Sequence, residues 1–99
     1  MTDAQNWPFD HGVNVAAISE AAVVEDGAPI LLVAHSSDDH GWVFLSGRPF
    51  TTAQGKVIGM GTALQLDPSL RSIADLQPGW SATRAHIGAV WVRSVDPDV

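Results

Sequence analysis

The hydrophobic positions of this chain fall into short runs that are separated by glycine, proline and aspartate. The clearest run is Ile30–His35, which is nearly continuous and is bounded by turn residues, as in a strand that is buried on both faces. Residues 36–41 have the composition of a turn, and Trp42–Ser46 forms the next apolar run. The pattern therefore predicts an antiparallel hairpin whose first strand is central in its sheet.

Helix signals occur at two places in the chain. Ser19 is a suitable N-cap, because its hydroxyl can accept a hydrogen bond from a backbone N–H of the first turn. Gly27 would end that short helix. Asp67 and Pro68 form a second start signal, since a proline at the first helical position has no N–H to leave unpaired. This second element would end at Pro78.

Further segments complete the predicted fold. Lys56–Met60 indicates a short strand or the approach to a helix, and Thr62–Leu66 indicates a helix. Trp80–Ile87 and Val90–Ser94 predict a closing hairpin around residues 88–89. Together these elements predict an α+β fold, in which an antiparallel sheet of about five strands packs with two or three short helices.

The closing hairpin supports the most specific prediction. A two-residue turn at residues 88–89 would set Arg84 opposite Arg93, because the turn fixes the register of a hairpin. Alternation would then place five residues on the core face: Thr83, Ala85, Ile87, Val90 and Val92. The opposite face would carry Trp80, Arg84, His86, Trp91 and Arg93. Two facing arginines repel each other, so we expect carboxylates such as those of Asp38 and Asp39 to neutralise them.

Tryptophan and arginine on one strand face have two interpretations, and the sequence leaves both open. In the structural interpretation, the rings stack on the guanidinium groups through cation–π contacts. In the functional interpretation, the same groups bind a protein or an anion, since Trp and Arg are frequent anchors of interfaces. The candidate binding residues are Trp80, Arg84, Trp91, Arg93 and Trp42.

Composition and charge exclude several function classes. With 45% apolar and 16% charged residues the chain is globular, and it fits one domain over residues 1–99, with a loop over residues 1–10 and a frayed tail over residues 95–99. A net charge of −6 repels nucleic acids and anionic membranes. The absence of cysteine excludes disulfides, zinc–thiolate sites and thiol catalysis. Residues 1–6 do not resemble a signal peptide and no apolar stretch approaches the ~20 residues of a membrane span, so we expect a cytoplasmic protein.

One constellation could carry metal or acid–base chemistry. His35, Asp38, Asp39 and His40 lie within six residues, and divalent ions accept imidazole and carboxylate ligands. Their spacing matches no standard zinc signature, and the serines between them are not part of a nucleophile elbow. Because Asp38 and Asp39 are also typical of hairpin turns, a turn is the preferred interpretation. No metal and no cofactor is expected.

Three motifs occur together in the chain: Trp-x-Phe-Leu-x-Gly at residues 42–47, Gly-Trp-x-Ala-x-Arg at residues 79–84 and Trp-x-Arg at residues 91–93. The combination resembles a family of small bacterial proteins of unknown function, and the similarity runs from about Trp7 to Arg93. A related group is classed among the immunity proteins of bacterial toxin systems, which implies an inhibitor that acts through its surface. Related chains often carry Cys or Asp before the strand glycine, whereas this one has Ser46, which argues against a thiol role.

The leading hypothesis is a non-enzymatic, cytoplasmic protein-binding module that uses the Trp/Arg face of the final hairpin. Its acidic charge would suit a basic protein partner, because long-range attraction raises encounter rates. A homodimer through a free sheet edge is a third possibility. The alternative from another class is a small metal-dependent or hydrolytic enzyme that uses the His35–His40 turn, which would require those side chains to converge in a cleft.

Overall fold

The computed structural model describes residues 7–9, 12–47 and 55–95. This part of the chain contains a sheet with the strands β1 (Ala16–Glu20), β2 (Leu32–His35), β3 (Trp42–Leu45), β4 (Gly55–Gly59), β5 (Trp80–Thr83) and β6 (Val92–Val95). Its helical segments are α1 (Ala21–Val24), α2 (Met60–Leu66) and a 3₁₀ helix (Pro68–Ile73). None of these described helices has the length and apolar character needed to cross a membrane. The α+β class is confirmed, while the expected loop and tail at the two termini lie largely outside the described residues.

The sheet is mixed, which corrects the expectation of an antiparallel sheet of about five strands. Its six strands have the order β4-β1-β3-β2-β5-β6. Most neighbours are antiparallel, but β1 and β3 are parallel, with Ile18 beside Val43. The sixth strand is β1, which lies between β3 and β4. A run of apolar residues indicates that a strand exists but not which strand lies beside it, so this parallel pair is not visible in the local pattern.

The first hairpin is confirmed. β2 and β3 pair antiparallel over four residues each, and β2 pairs with β5 on its other side, so β2 is central in the sheet. The backbone N–H of Ser36 donates to the carbonyl of Gly41 at 2.8 Å and closes the turn. The backbone N–H of Gly41 donates to the carboxylate of Asp39 at 2.9 Å. Asp39 therefore has the turn role that its residue type suggests.

Asp67 starts the predicted second helical element. Its carboxylate accepts hydrogen bonds from the backbone N–H of Ser69 at 3.0 Å and from the Ser69 hydroxyl at 2.6 Å. Pro68 occupies the first helical position, as predicted. The element is a 3₁₀ helix, and it positions Asp67 at the edge of the core.

The prediction that Ser19 caps a helix is wrong. Ser19 lies within β1, where its hydroxyl donates to the carbonyl of Phe44 at 2.7 Å, and α1 begins only at Ala21. The next residue, Glu20, is also buried and accepts from the backbone N–H of Ser46 at 2.7 Å and from its hydroxyl at 3.0 Å. Both side chains therefore fasten β1 to the neighbouring β3 segment. These contacts between distant parts of the chain outweigh the local capping preference of serine.

The helices cover one face of the sheet, and the core lies between them. Alternate strand residues on this face are buried, among them Ala17, Val33, Phe44 and Ala82. The helical segments complete the core with Met60, Ala63, Leu64, Leu70 and Ile73.

The opposite face of the sheet is called the open face below. The strand registers assign to it Ala16, Ile18, Glu20, Leu32, Ala34, Val43, Leu45, Gly55, Val57, Gly59, Ser81, Thr83, Val92 and Ser94. Among them only Ala34 and Glu20 are buried, and none is a member of the main cluster of packed core side chains. The described residues thus form two layers, with one face of the sheet left outside them.

We expect Phe44→Ala to lower the free energy of unfolding by about 3–5 kcal/mol, because the ring is fully buried in the core and its removal leaves a cavity. Val43→Ala is the matched control, since Val43 is the preceding residue of β3 and its half-buried side chain points to the open face. The control should lose only about 1 kcal/mol. Urea unfolding measures both values, and equal losses would contradict this assignment of the two faces.

Candidate functional site

The closing hairpin is wider than the sequence predicts. β5 and β6 pair antiparallel over four residues each, and residues 84–91 form the connection between them. The predicted two-residue turn is therefore wrong, and so is the opposition of Arg84 and Arg93. Arg93 lies opposite Ala82 instead. The register differs from the predicted one by two positions, which leaves the grouping of residues by face unchanged.

The two faces of this hairpin are exchanged relative to the prediction. Ile87, Val90 and Val92, predicted as core residues, are 61%, 84% and 63% exposed. Ala82 and Arg84 are buried, because the helices lie on their side of the sheet. Alternation groups residues by face, but it does not say which face the helices cover.

Arg84 lies at the centre of a buried polar cluster. Its Nε and Nη2 atoms donate to the carbonyl of Ile30 at 3.1 and 2.9 Å, and its Nη1 atom donates to the Ser69 hydroxyl at 2.9 Å. Nη2 also forms a salt bridge with the carboxylate of Asp67. The Arg84 side chain is only 1% exposed. The Arg84 cluster, defined as Arg84, Ile30, Asp67 and Ser69, therefore ties the entry to β2 and the start of the 3₁₀ helix to the end of β5.

Of the tryptophans in the predicted binding set, Trp91 packs on this cluster. The guanidinium carbon of Arg84 lies 4.3 Å from the centre of the Trp91 ring, which is a cation–π geometry. Trp91 and Trp80 are both half-buried and pack against the hydrophobic core. Trp91 therefore braces Arg84, as the structural interpretation of the sequence requires, while each ring keeps some exposed surface.

Arg93 has a more open environment than Arg84. Its Nη2 atom donates to the Ser72 carbonyl at 3.0 Å and to the Asp75 carboxylate at 2.7 Å. The hydrogen bond from Arg93 holds the pKa of Asp75 below its ordinary value. The two arginines are thus neutralised by Asp67 and Asp75, and the expectation that Asp38 and Asp39 would do so is wrong.

Trp42 lies inside the core, in the same cross-strand row as Trp80, with His35 between the two. Its ring stacks on His35 at a centroid distance of 4.1 Å and meets the edge of Phe9 at 5.0 Å. The buried indole N–H of Trp42 has no hydrogen-bond partner within the described chain. The structure therefore gives Trp42 a packing position and no contact with the exposed part of the final hairpin.

The four residues of the His35–His40 turn do not form one site, and only the His35 and His40 rings meet, edge to face at a centroid distance of 6.2 Å. His35 is buried, with Nδ1 2.7 Å from the carbonyl oxygen of Leu76 and Nε2 3.1 Å from that of His40. Asp38, Asp39 and His40 lie exposed on the turn. Backbone hydrogen bonding from Gly41 lowers the pKa of Asp39, so its charge supports the turn. Among the described residues, no three potential ligands are grouped so as to hold a metal ion.

An apolar surface appears where the sequence predicts core. Ile87 and Val90 in the connection, with Val92 and Val95 on β6, are all exposed. β6 is the last strand of the sheet, so no described strand pairs with its outer side. Val92 and Val95 are three residues apart, so their side chains lie on opposite faces of the strand. Apolar residues on both faces of this last strand are the sequence signal that could have identified the surface. Ile87 lies apart from β6, beside a groove lined by Val23, Ile30 and Asp67. The name β6 edge is used below for β6 together with Val90.

A small groove lies beside the β6 edge on the helix-covered side. It encloses about 190 Å³ and is lined by Asp75, Leu76, Gln77, Trp80 and Arg93. An indole ring, an amide and an ion pair therefore lie next to a free strand edge. Asp75 and Gln77 belong to this groove and were missed by the sequence analysis, because the fold, not the local sequence, brings them to β6.

No family model matches this chain, and no curated protein or solved structure is significantly similar to it.

We expect Arg84→Met to lower the free energy of unfolding by about 3–5 kcal/mol, because it leaves the mostly buried carboxylate of Asp67 without its partner. Arg93→Met is the matched control, since it breaks a solvent-exposed ion pair that is worth about 1 kcal/mol or less. Chemical denaturation measures both. A loss for Arg84→Met as small as that of the control would show that the cluster does not stabilise the fold.

The Asp75–Arg93 pair makes a pH-dependent contribution. Because the pKa of Asp75 is lowered in the folded protein, the pair stabilises the fold above the ordinary value of 3.8 and is lost as the pH falls further. Arg93→Gln should therefore raise the pKa of Asp75, as measured by NMR titration of its carboxyl carbon. An unchanged pKa in this variant would mean that Arg93 is not the cause of the shift.

Proposed function

We propose that this protein is a non-enzymatic protein-binding module and that it binds its partner along the β6 edge. The observation that carries the proposal is a sheet edge without a described partner strand that bears the exposed Val92 and Val95, with the exposed Val90 in the segment that leads into it. The proposal keeps the final hairpin as the binding element, but it moves the contact from a Trp/Arg face to the outer edge of the hairpin.

The backbone of an edge strand favours this role. Its outward N–H and C=O groups can pair with an extended segment of another protein, which adds a strand to the sheet. Proteins protect edges that must stay free with charged side chains, above all lysine, with proline or with bulges. β6 contains neither lysine nor proline, and its one charged residue, Arg93, is paired with Asp75. The other edge strand, β4, carries Lys56 and has glycine at both ends. Of the two edges, β6 therefore resembles a binding edge more closely.

The side chains of the β6 edge offer contacts on both faces of an added strand. Val92 would contact one face of the incoming segment, and Val95 would contact the other. On the side of Val95, the groove with Trp80 and Arg93 adds an aromatic ring and a guanidinium group. These residue types are frequent anchors in protein interfaces. Arg84 and Trp91 support this surface from within, and Trp42 contributes only to the core.

The charge of the chain favours a basic partner. A net charge of −6 attracts a basic protein over long range and increases the rate of encounter. The proposal includes a cytoplasmic location and a role like that of an immunity protein, in which the module blocks a basic target by occupying it. The resemblance at residues 42–47, 79–84 and 91–93 supports this role, since it implies an inhibitor that acts through its surface.

The test is affinity capture from a lysate of the source organism, with the captured protein then purified and its affinity measured. We expect Val90→Lys combined with Val95→Lys to weaken binding about tenfold or more, because both side chains lie on the β6 edge. Val57→Lys is the matched control, since Val57 is equally exposed but lies on β4. Circular dichroism establishes that all three proteins are folded.

Two results would contradict the proposal. Equal binding by the wild type and the double variant would show that the β6 edge is not the contact. Catalytic turnover that is lost on substitution of His35 or Asp38 would support the enzyme hypothesis and reject the binding module.

A further inference from the structure

The open face of the sheet has an unusual composition for a surface in contact with water. Antiparallel sheets with one solvated face usually alternate between apolar and polar positions, so that the outer residues are polar. Here the open face carries aliphatic side chains on five strands: Leu32, Val43, Leu45, Ile18, Val57 and Val92. Ile18, Val57 and Val92 are exposed, and the three others are half-buried. Such an apolar surface is unfavourable in water and is typical of an interaction site.

Charge is almost absent from the open face, although the chain has eleven acidic and five basic residues. Glu20 is the one charged residue among the strand positions assigned to it, and that side chain is buried. The Glu20 carboxylate accepts hydrogen bonds from the backbone N–H and from the hydroxyl of Ser46, which directly follows β3. The carboxylates that would attract a basic partner therefore lie elsewhere on the molecule.

We propose that the open face packs against the same face of a second copy of this chain. A basic partner would gain no electrostatic attraction here, because the face presents no exposed carboxylate within the described strands. An identical face is uncharged and apolar as well, so two acidic copies can meet without placing like charges in contact. A two-fold axis would then bring each apolar residue against the same set in the other copy.

The shape of the open face suits this packing. Small side chains lie between its larger aliphatic residues, including Ala16, Ala34, Ser81 and Ser94. Small residues keep the face flat, which lets two sheets approach to the ~10 Å separation of a β-sandwich. The half-buried Val43 and Leu45 on the inner strand β3 would form the centre of the contact.

The area of the open face sets the strength of the association. Six strands about 4.8 Å apart, each four or five residues long, give a face of roughly 400–500 Å². Stable complexes bury about 800 Å² on each partner, so this contact is about half of the standard size. The dimer should therefore be weak and should form in a concentration-dependent way.

This surface differs from the proposed partner-binding edge, with Val92 as a residue common to both, and the inference does not depend on the proposed function. Val57 is on the open face and far from β6 in the strand order, whereas Val95 is on the β6 edge and points to the other side of the sheet. The two residues are 70% and 62% exposed. Lysine at either position should thus leave the monomer folded, and each substitution tests one surface alone.

The experiment is sedimentation equilibrium of the purified full chain over about 10 to 500 µM, a range that spans weak dissociation constants. We expect the wild type to dimerise within this range. Val57→Lys should raise the dissociation constant about tenfold or more, because each lysine ammonium loses water in an apolar contact and occurs twice in a symmetric dimer. Val95→Lys, the matched control, should dimerise as the wild type does.

Other outcomes would overturn the inference. If the wild type stays monomeric up to the highest concentration, the open face does not mediate self-association. A dimer that Val95→Lys disrupts and Val57→Lys does not would be formed by pairing of sheet edges. If Val57→Lys fails to fold, Ile18→Lys replaces it, since Ile18 also lies on the open face. This variant should likewise weaken the dimer.

Discussion

A buried guanidinium group requires acceptors for its donors, and Arg84 finds them in separate parts of the chain. The carbonyl of Ile30 precedes β2, and the carboxylate of Asp67 and the hydroxyl of Ser69 belong to the start of the 3₁₀ helix. The backbone N–H of Arg84 also donates to the carbonyl of Leu31 at 3.1 Å. One residue therefore fixes the helical layer to the sheet at the point where β5 ends.

Arg84 stands at the start of the long connection in the final hairpin. Its side chain is directed into the helix-covered layer and held there, and residues 84–91 connect β5 to β6. Trp91 returns to cover the guanidinium group, while Ile87 and Val90 are left in contact with solvent. Charged and aromatic groups thus stabilise the buried side of the hairpin. Aliphatic residues, among them Val90, are exposed and form the surface that is proposed to bind a partner.

The elements that are determined by residues close together in the sequence could be predicted. The β2–β3 hairpin follows from turn residues between two apolar runs, and the start at Asp67 follows from local capping chemistry. The parallel β1–β3 pair and the role of Ser19 could not be predicted, because both depend on contacts with distant residues in and beside β3. The same limit applies to the candidate site. The grouping of Trp80, Arg84 and Arg93 on one face is visible in the alternation, but the ion pair between Arg84 and Asp67 decides which face is buried.

The most direct test of this account is native-state hydrogen exchange, measured residue by residue, across residues 80–95. We expect strong protection for the amides of β5 and of Arg84, whose N–H donates to the carbonyl of Leu31, and rapid exchange at Ile87, Gly88 and Val90. We also expect protection in β6 to be confined to the amides that face β5. Continuous protection through residues 84–91, with Arg84 paired to Arg93 in a tight hairpin, would contradict this account.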